Sequence, residues 1–436
     1  GEIGAESRSQ NKTQGTGSTS IIGQNIDYFK TTQGDPPVND LMDGVDVSWK
    51  RVKGGEAIEK MVNGLITSFD FLHPEKSVKG LVELYKVLQQ LPDGYWKEQK
   101  MKEAKELIEQ CSGLFVNATT NEQYAVQTDS IRINFLLNDR LGVNATLKEV
   151  KVDEFDSTFN RPLLKNSNVF FAKTVFVPST KMPKQPYWLQ GKMEEGYYNV
   201  DDQQKIGQAD VDPAYVADIT LDIDGVDLDF AKPVKYKFTD PVRGELYEPL
   251  VVVPTITANP QATLVVKKAE ESIQVNISLH SFKDQKFVDQ RLVSQLPSPD
   301  EKYDFESLIA DTRKDQQMIS TVTIDYSYKN GEVSFYVNDP REHLKEKHEI
   351  RYDHIPWLNY FSPAEVKVET IDLKTYGKKI GYIPGAGDKV PEALEQMGYE
   401  VTILGDKELS KNDLQQYDAI ITGVRAYNTN ELMNNY

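Results

Sequence analysis

The loop Gly385-Ala386-Gly387-Asp388 stands between a short apolar run and an amphipathic segment. Backbone N–H groups at such a strand-to-helix passage can cradle an anion, and Asp388 is placed to cap the helix that follows. A third glycine is missing, so the spacing is not a dinucleotide fingerprint, and a tight turn is the plainer reading. Further on, Gly423-Val424-Arg425-Ala426-Tyr427-Asn428-Thr429 follows another apolar run. Open α/β sheets place ligands in that position, beyond the carboxyl ends of their strands. Arg425 is the cation a small anionic ligand would meet there. No serine or cysteine accompanies it in a nucleophile-elbow setting, so these loops point to binding and not to catalysis.

Aromatic side chains form a second set of candidates. Tyr187 and Trp188 in Pro186-Tyr187-Trp188-Leu189, and Trp357 in Ile355-Pro356-Trp357-Leu358-Asn359-Tyr360-Phe361, could stack on sugar rings or fill a β-sandwich core. The run Leu221-Asp222-Ile223-Asp224-Gly225-Val226-Asp227-Leu228-Asp229-Phe230 gathers four carboxylates around a glycine. Its strict alternation reads better as one edge strand, apolar side inward and aspartates in water, than as a calcium loop. The histidines are His73, His280, His343, His348 and His354, and no pair has a metal-ligand spacing. His343 and His348 fall in a charged stretch from Arg341 that reads as a solvated loop or helix, and His73 as a turn residue between helices. No metal ligand is assigned.

The elements that must position these residues change character along the chain. Residues 1 to about 45 are polar and rich in Ser, Thr, Gln, Asn and Gly, the composition of a flexible leader. Three helical stripes follow: Ile58, Met61, Val62, Leu65, Ile66 and Phe69; Val78, Leu81, Leu84, Tyr85 and Leu88; then Ala104, Leu107, Ile108 and Cys111. After Gly113 the apolar period drops to two, and strands are expected to about residue 372. Their number and spacing suggest two β-sandwiches, 114–254 and 255–372, divided at Val253-Pro254-Thr255-Ile256-Thr257-Ala258-Asn259-Pro260. Lys329-Asn330-Gly331 reads as a two-residue hairpin inside the second. From residue 373 the pattern becomes βαβαβ: strands at Lys379–Pro384, Glu400–Leu404 and Asp418–Gly423, with a helix at Val390–Met397 between the first two. The expected fold is thus multidomain α+β, ending in the first half of an α/β unit.

Lys and Arg total 50 against 67 Asp and Glu, a net charge of −17, which disfavours a phosphate-backbone partner and so a nucleic acid. The single Cys111 excludes an intrachain disulfide. No apolar run is long enough for a transmembrane segment, and no signal-peptide pattern opens the sequence. Residue 1 is a glycine, so the chain is expected to have been processed or cut, with its native start upstream.

Taken in order, these segments resemble the region downstream of the catalytic domain in large bacterial PIG-L (LmbE-like) deacetylase-family proteins. The collinear matches are Ser7 to Gly17, Asp40-Leu41-Met42-Asp43-Gly44-Val45-Asp46-Val47-Ser48-Trp49, Pro186-Tyr187-Trp188-Leu189 and Asp240-Pro241-Val242-Arg243-Gly244-Glu245. Tyr352-Asp353-His354-Ile355-Pro356, Ile383-Pro384-Gly385-Ala386-Gly387-Asp388 and Val424-Arg425-Ala426-Tyr427-Asn428-Thr429 continue them. The resemblance implies Ig-like β modules and a trailing flavodoxin-like, class I amidotransferase-like domain. It also implies export to the periplasm or cell exterior. The family's zinc-dependent N-deacetylase domain carries Ala-His-Pro-Asp-Asp-like and His-Pro-Asp-His-like motifs, and neither occurs here. Asn11 stands where members often have a histidine. No catalytic residue carries over, zinc is implied only for a deacetylase domain this chain lacks, and no cofactor is expected in the chain itself.

The resulting expectation is a non-catalytic accessory region that binds or positions a glycan or amino-sugar substrate. Its candidate ligand-binding residues are Tyr187, Trp188, Trp357, Gly385, Gly387, Asp388 and Arg425. One alternative is a truncated or degenerate enzyme binding a small anion near Gly387 and Arg425. The other is a structural spacer or protein-interaction array, favoured by burial of residues 187, 188 and 357.

Overall fold

The computed structural model describes residues 2–15, 23–24, 26–153, 155–286, 291–295, 305–308, 311–337, 343–411, 413–431 and 433. The chain divides into two compact units, Gly1–Ile108 and Glu109–Tyr436. In the first, helix α1 (Glu2–Gln10) occupies part of what composition reads as a flexible leader. Helices α2 (Glu56–Ser68), α3 (Val78–Gln89) and α4 (Tyr95–Ser112) follow, the last running across the boundary between the units. Ile58, Leu84, Leu88, Leu91 and Ala104 form their buried core, with Met61, Val62, Leu65 and Tyr85 packed around it. These positions recur every three to four residues, so each helix presents one apolar stripe to its neighbours. Proline opens the 3-10 turn Pro74–Ser77 ahead of α3, where its missing N–H costs nothing.

The second unit begins with strands β1 (Leu114–Thr120), β2 (Tyr124–Val126), β3 (Ser130–Asp139), β4 (Ala145–Val152), β5 (Phe155–Pro162) and β6 (Val169–Phe176). After a long connection come β7 (Val216–Ile223), β8 (Val226–Pro233), β9 (Lys235–Asp240), β10 (Gly244–Pro249) and β11 (Val251–Val253). Two larger sheets result, ordered β10-β9-β1-β3-β6 and β5-β4-β7-β8, while β2 and β11 pair in parallel as a separate two-stranded ribbon. Alternation places one face of each strand inward: Ile131, Ile133, Phe135 and Leu137 from one sheet, Ala217, Ile219, Leu221 and Ile223 from the other, are all buried. Phe171 of β6 lies 4.9 Å from Phe135 of its own sheet and 5.1 Å from Phe159 of the opposite sheet, so the two layers share a core.

One expected element is two. The carboxylate-rich run expected as a single edge strand turns back at Asp224-Gly225, whose φ angles are +48° and +80°. That left-handed pair makes the tight hairpin joining β7 to β8 and sets Asp222 directly opposite Asp227. The inward apolar face survives the turn, because Leu228 and Phe230 on β8 are as buried as Leu221 and Ile223 on β7.

The second sandwich is built from β12 (Ile256–Pro260), β13 (Leu264–Lys267), β14 (Ile273–Ser281), β15 (Arg291–Gln295), β16 (Phe305–Leu308), β17 (Gln317–Ile324) and β18 (Gly331–Val337). A two-stranded ribbon of β19 (Lys345–Ile350) and β20 (Leu358–Pro363) follows, then β21 (Glu365–Thr370). The sheets β12-β14-β17 and β13-β21-β18-β15-β16 enclose one core, to which Ile277, Leu279 and Val322 contribute from the first and Val333, Phe335 and Val366 from the second. Asn330-Gly331 is therefore not a hairpin turn, because β17 and β18 belong to opposite sheets. It is an arch between layers, and the Asn330 side chain accepts from Thr370 N at 2.6 Å, fastening the arch to the end of β21. The stretch expected as a solvated loop or helix around His348 is instead strand β19, while its Arg341 and Glu342 lie outside the described residues. His348 stacks on Tyr360 across the ribbon with ring centres 4.5 Å apart.

The last segment carries β22 (Lys379–Ile383), α5 (Val390–Gln396), β23 (Glu400–Ile403), α6 (Asp406–Leu409), β24 (Ala419–Thr422) and α7 (Ala426–Thr429). Its sheet is fully parallel in the order β23-β22-β24. The Gln396 side chain accepts from Val266 N at 2.9 Å and so ties α5 to β13. The whole is a mixed α+β protein, mostly sheet. No helix among the described residues is long and apolar enough to cross a membrane.

Candidate functional site

The second unit contains a cleft of about 400 Å³ where three segments meet. The β9-β10 hairpin supplies Lys235, Tyr247 and Glu248; the long β6–β7 connection supplies Lys184, Gln208 and Asp212; the approach to β20 supplies Pro356 and Trp357, and the start of β20 itself supplies Asn359. This volume falls in the range of small-ligand pockets, about 300–1,000 Å³.

Each wall is held by side-chain bonds. Trp357 N donates to Glu248 Oε2 at 2.9 Å, which pins the β20 approach against the β9-β10 hairpin. The Trp357 ring, half-buried, lies 5.4 Å from Phe238, which itself stacks on Tyr236 at 5.0 Å. The Arg351 guanidinium sits 4.2 Å from the Trp357 ring centre while pairing with Glu349 at 2.9 Å. Asp212 accepts from Lys205 Nζ at 2.9 Å and from Gln208 Nε2 at 2.8 Å, and the Lys205 hydrogen bond leads in holding its carboxyl below the ordinary range. Along the outer side of β20, Gln185 Oε1 takes Phe361 N at 3.0 Å, as Glu248 takes Trp357 N.

Asn359 differs from these. It is only 4% exposed, and both its Nδ2 and its Oδ1 are buried without a hydrogen-bond partner. Buried amides nearly always have partners, because desolvating an unpaired polar group costs roughly 1–3 kcal/mol.

Tyr187 and Trp188 form the 3-10 turn Tyr187–Leu189, edge to face with ring centres 4.9 Å apart, and both are half-buried. Neither lines the cleft. Tyr187 Oη accepts from Gly207 N at 3.1 Å, which anchors the segment carrying Gln208 and Asp212, so Tyr187 positions a wall. Of the three expected aromatics, only Trp357 faces this cavity.

The loops of the α/β segment are brought together separately. Ala386 N donates to Val424 O at 2.8 Å, an approach so close that a Cβ on Gly385 would meet that oxygen at 2.1 Å. Gly387 has open space around it. The cap of α5 is Lys389 and not Asp388 as expected; Asp388 accepts from Val390 N at 3.1 Å from one residue further back. Its carboxylate also accepts from Tyr382 Oη at 2.5 Å and from Val424 N at 3.1 Å. The Tyr382 bond, followed by the two backbone donors, holds the Asp388 carboxyl below its usual value. Burial and that same carboxylate push the Tyr382 phenol up to about 12. Arg425 is exposed, with a left-handed φ of +57°, and precedes the four-residue helix α7. Asp388 thus places a negative charge of its own at the junction of the two loops. Among the described residues, no three His, Cys, Asp or Glu side chains gather as a metal site.

Sequence reasoning did not single out Asn359, Glu248 or Asp212. Asn359 lies within the aromatic run from Ile355 to Phe361, and a polar residue inside an apolar strand was the available signal.

No known family pattern and no curated protein matches the chain. Solved structures to which it is similar include red sea bream transglutaminase, at 9% identity and a TM-score of 0.27 over 64% of this chain and 34% of that one. The complex of Dpr2 Ig1-Ig2 with DIP-Theta Ig1-Ig3 gives 8% identity and 0.18, over 59% and 66%. The titin domains z1z2 in complex with telethonin give 5% and 0.16, over 59% and 96%. The chain spans about a third of the transglutaminase's length. Likenesses this weak carry no argument about fold or activity.

Proposed function

We propose that this chain is a non-catalytic accessory region that binds an amino-sugar glycan and positions it for a PIG-L-like deacetylase domain. The observation that carries the reading is the cleft at Trp357, which pairs an aromatic ring with polar groups of both signs, Lys184, Lys235, Glu248 and Asp212, at one mouth. Sugars are recognised this way, by an aromatic face against the ring's C–H surface and by fixed donors and acceptors for its hydroxyls. The collinear resemblance described above supports the same assignment and implies an extracytoplasmic home. The two sandwiches are read as Ig-like modules. The β23-β22-β24 order is that of the opening half of a flavodoxin-like sheet, which supports an amidotransferase-like reading of the last segment.

Titration calorimetry with oligosaccharides of glucosamine and N-acetylglucosamine tests the proposal. Binding that weakens at least about tenfold on Trp357→Ala is expected, a loss of about 1.4 kcal/mol. Flat titrations with every oligosaccharide sink it.

A further inference from the structure

We propose that the helical first unit carries a binding site for a small aromatic carboxylate; the inference goes beyond the glycan reading above and does not rest on it. A cavity of about 200 Å³ is lined by the 3-10 turn Trp49–Arg51 and by helices α2, α3 and α4. It is smaller than a pocket for drug-sized ligands, about 300–1,000 Å³, and larger than an engineered apolar cavity of roughly 150 Å³ that holds benzene. A single ring matches that size. The accessible walls are apolar: Trp49, Val52 and Val62 are half-buried, and Trp96 is 39% exposed. Trp49 is fixed by the backbone around it, since Val52 N donates to Trp49 O at 3.1 Å and a Cβ on Gly55 would meet that oxygen at 2.4 Å. Only glycine lets the chain entering α2 pass so close.

The rim sets the charge of the occupant. Trp96, Lys100 and Glu103 follow one another a turn apart on one face of α4. The Glu103 carboxylate is already engaged, by Lys100 Nζ at 2.7 Å and by Gln99 Nε2 at 3.1 Å, so it offers little to a cationic ligand. Arg51 differs. Its guanidinium lies 4.2 Å from the Trp96 ring centre, and its bond from Nη1 to Asp46 O, at 3.3 Å, leaves most of the fork unused. The Asp46 carboxylate spends Oδ1 on Ser48 N and Oγ, at 2.9 and 2.6 Å. An arginine stacked on an aromatic face keeps its N–H edge for a carboxylate, which it grips bidentately. An acid whose ring enters against Trp49 and Val62 therefore brings its carboxylate to Arg51, whereas an aromatic amine would meet a like charge there. The two indoles favour a flat ring over an aliphatic chain.

The test titrates the full chain calorimetrically with phenylacetate, its uncharged counterpart phenylacetamide, and hexanoate. The wild type should bind phenylacetate about tenfold more tightly than phenylacetamide, the worth of a charge-assisted hydrogen-bonded pair, and more tightly than hexanoate. Arg51→Gln should bring the acid down to the amide without moving the melting temperature, because the side chain is exposed. Should that variant melt early, Arg51→Lys, which keeps the charge and removes the fork, gives the same comparison with a smaller loss. Failure of phenylacetate to bind, equal affinity for acid and amide, or a preference unchanged in the Arg51 variants overturns the inference. Trp357→Ala, which alters the cleft of the second unit, should leave phenylacetate binding as it is; a loss there places the acid in that cleft and overturns the inference as well. None of these outcomes bears on the oligosaccharide titrations that test the glycan reading.

Discussion

In the loop after β22, one carboxylate accepts three hydrogen bonds, from a phenol and from two backbone N–H groups that belong to different loops. Asp388 is therefore a tie between the β22 and β24 exits. Its carboxyl is held low, so its contribution to the folded state is fully present above the ordinary aspartate range and disappears as pH falls through the lower, folded value. An asparagine in its place keeps the shape but turns one acceptor into a donor facing a backbone N–H. Asp388→Asn should speed hydrogen exchange in residues 379–388 at neutral pH, and the gap from wild type should close on acidification; a gap independent of pH would contradict this account. The tie also explains why this loop was hard to read. A glycine-bordered aspartate is common to anion cradles and to self-satisfied turns, and only the partners of its oxygens separate the two.

Helices and strands follow the apolar period, and that is why most of them were legible. Leu88 on α3 is 2% exposed in the core shared with Ile58 and Ala104. Leu88→Ala should destabilise the helical unit by about 2–5 kcal/mol, seen in a urea melt followed by helical circular dichroism. Turns were less legible, because period alone does not show where a strand folds back. Leu221 to Phe230 keeps a period of two on either side of Asp224-Gly225, where its phase slips by one residue and the chain reverses, the left-handed pair being cheap only for such residues. Gly225→Val should cost about 1–2 kcal/mol through the positive φ alone, checked by the shift in thermal midpoint. Asn330-Gly331 carries the same turn signal but joins opposite sheets, since Val333 and Phe335 must enter the core from the layer facing Val322 and Ile324. The dipeptide fixes local bending; the cores on either side decide which sheet receives the next strand.

Across the second unit, the two sandwiches meet at a small polar and apolar junction. Val126, Val251, Val253, Phe282 and Phe361 pack together, and beside them Tyr124 donates to Glu349 Oε1 at 2.8 Å while Lys347 donates to Tyr124 Oη at 3.1 Å and to Glu349. Lys314 pairs with Glu122 at 2.7 Å across the same junction. Burial pushes the Glu349 carboxyl up, but the bonds from Lys347 and Tyr124 outweigh it and hold it below the ordinary value. Its stabilisation is accordingly present above the usual glutamate range and lost as pH drops through the folded value. Glu349→Gln should cost on the order of 2 kcal/mol at pH 7 in denaturant melts, because the Lys347 side chain, 10% exposed, loses its counter-charge. The penalty should shrink towards pH 3; a constant penalty would place the loss in packing. None of this junction was legible beforehand, since residues so distant in sequence are brought together only by the finished sheets.

Both sandwiches are closed by a parallel pair between remote strands, β1 with β9 and β13 with β21. Such a pair cannot form as a local ribbon, so its loop-closure entropy is spent before any contact repays it. During synthesis, β13 must therefore wait for Glu365–Thr370 to leave the ribosome, exposing Val265 and its sheet edge in the meantime. A nascent chain halted before β21 is the species on which chaperones would be needed most, and the charged side chain of Lys268, just beyond that edge, is available to discourage wrong pairing while it waits.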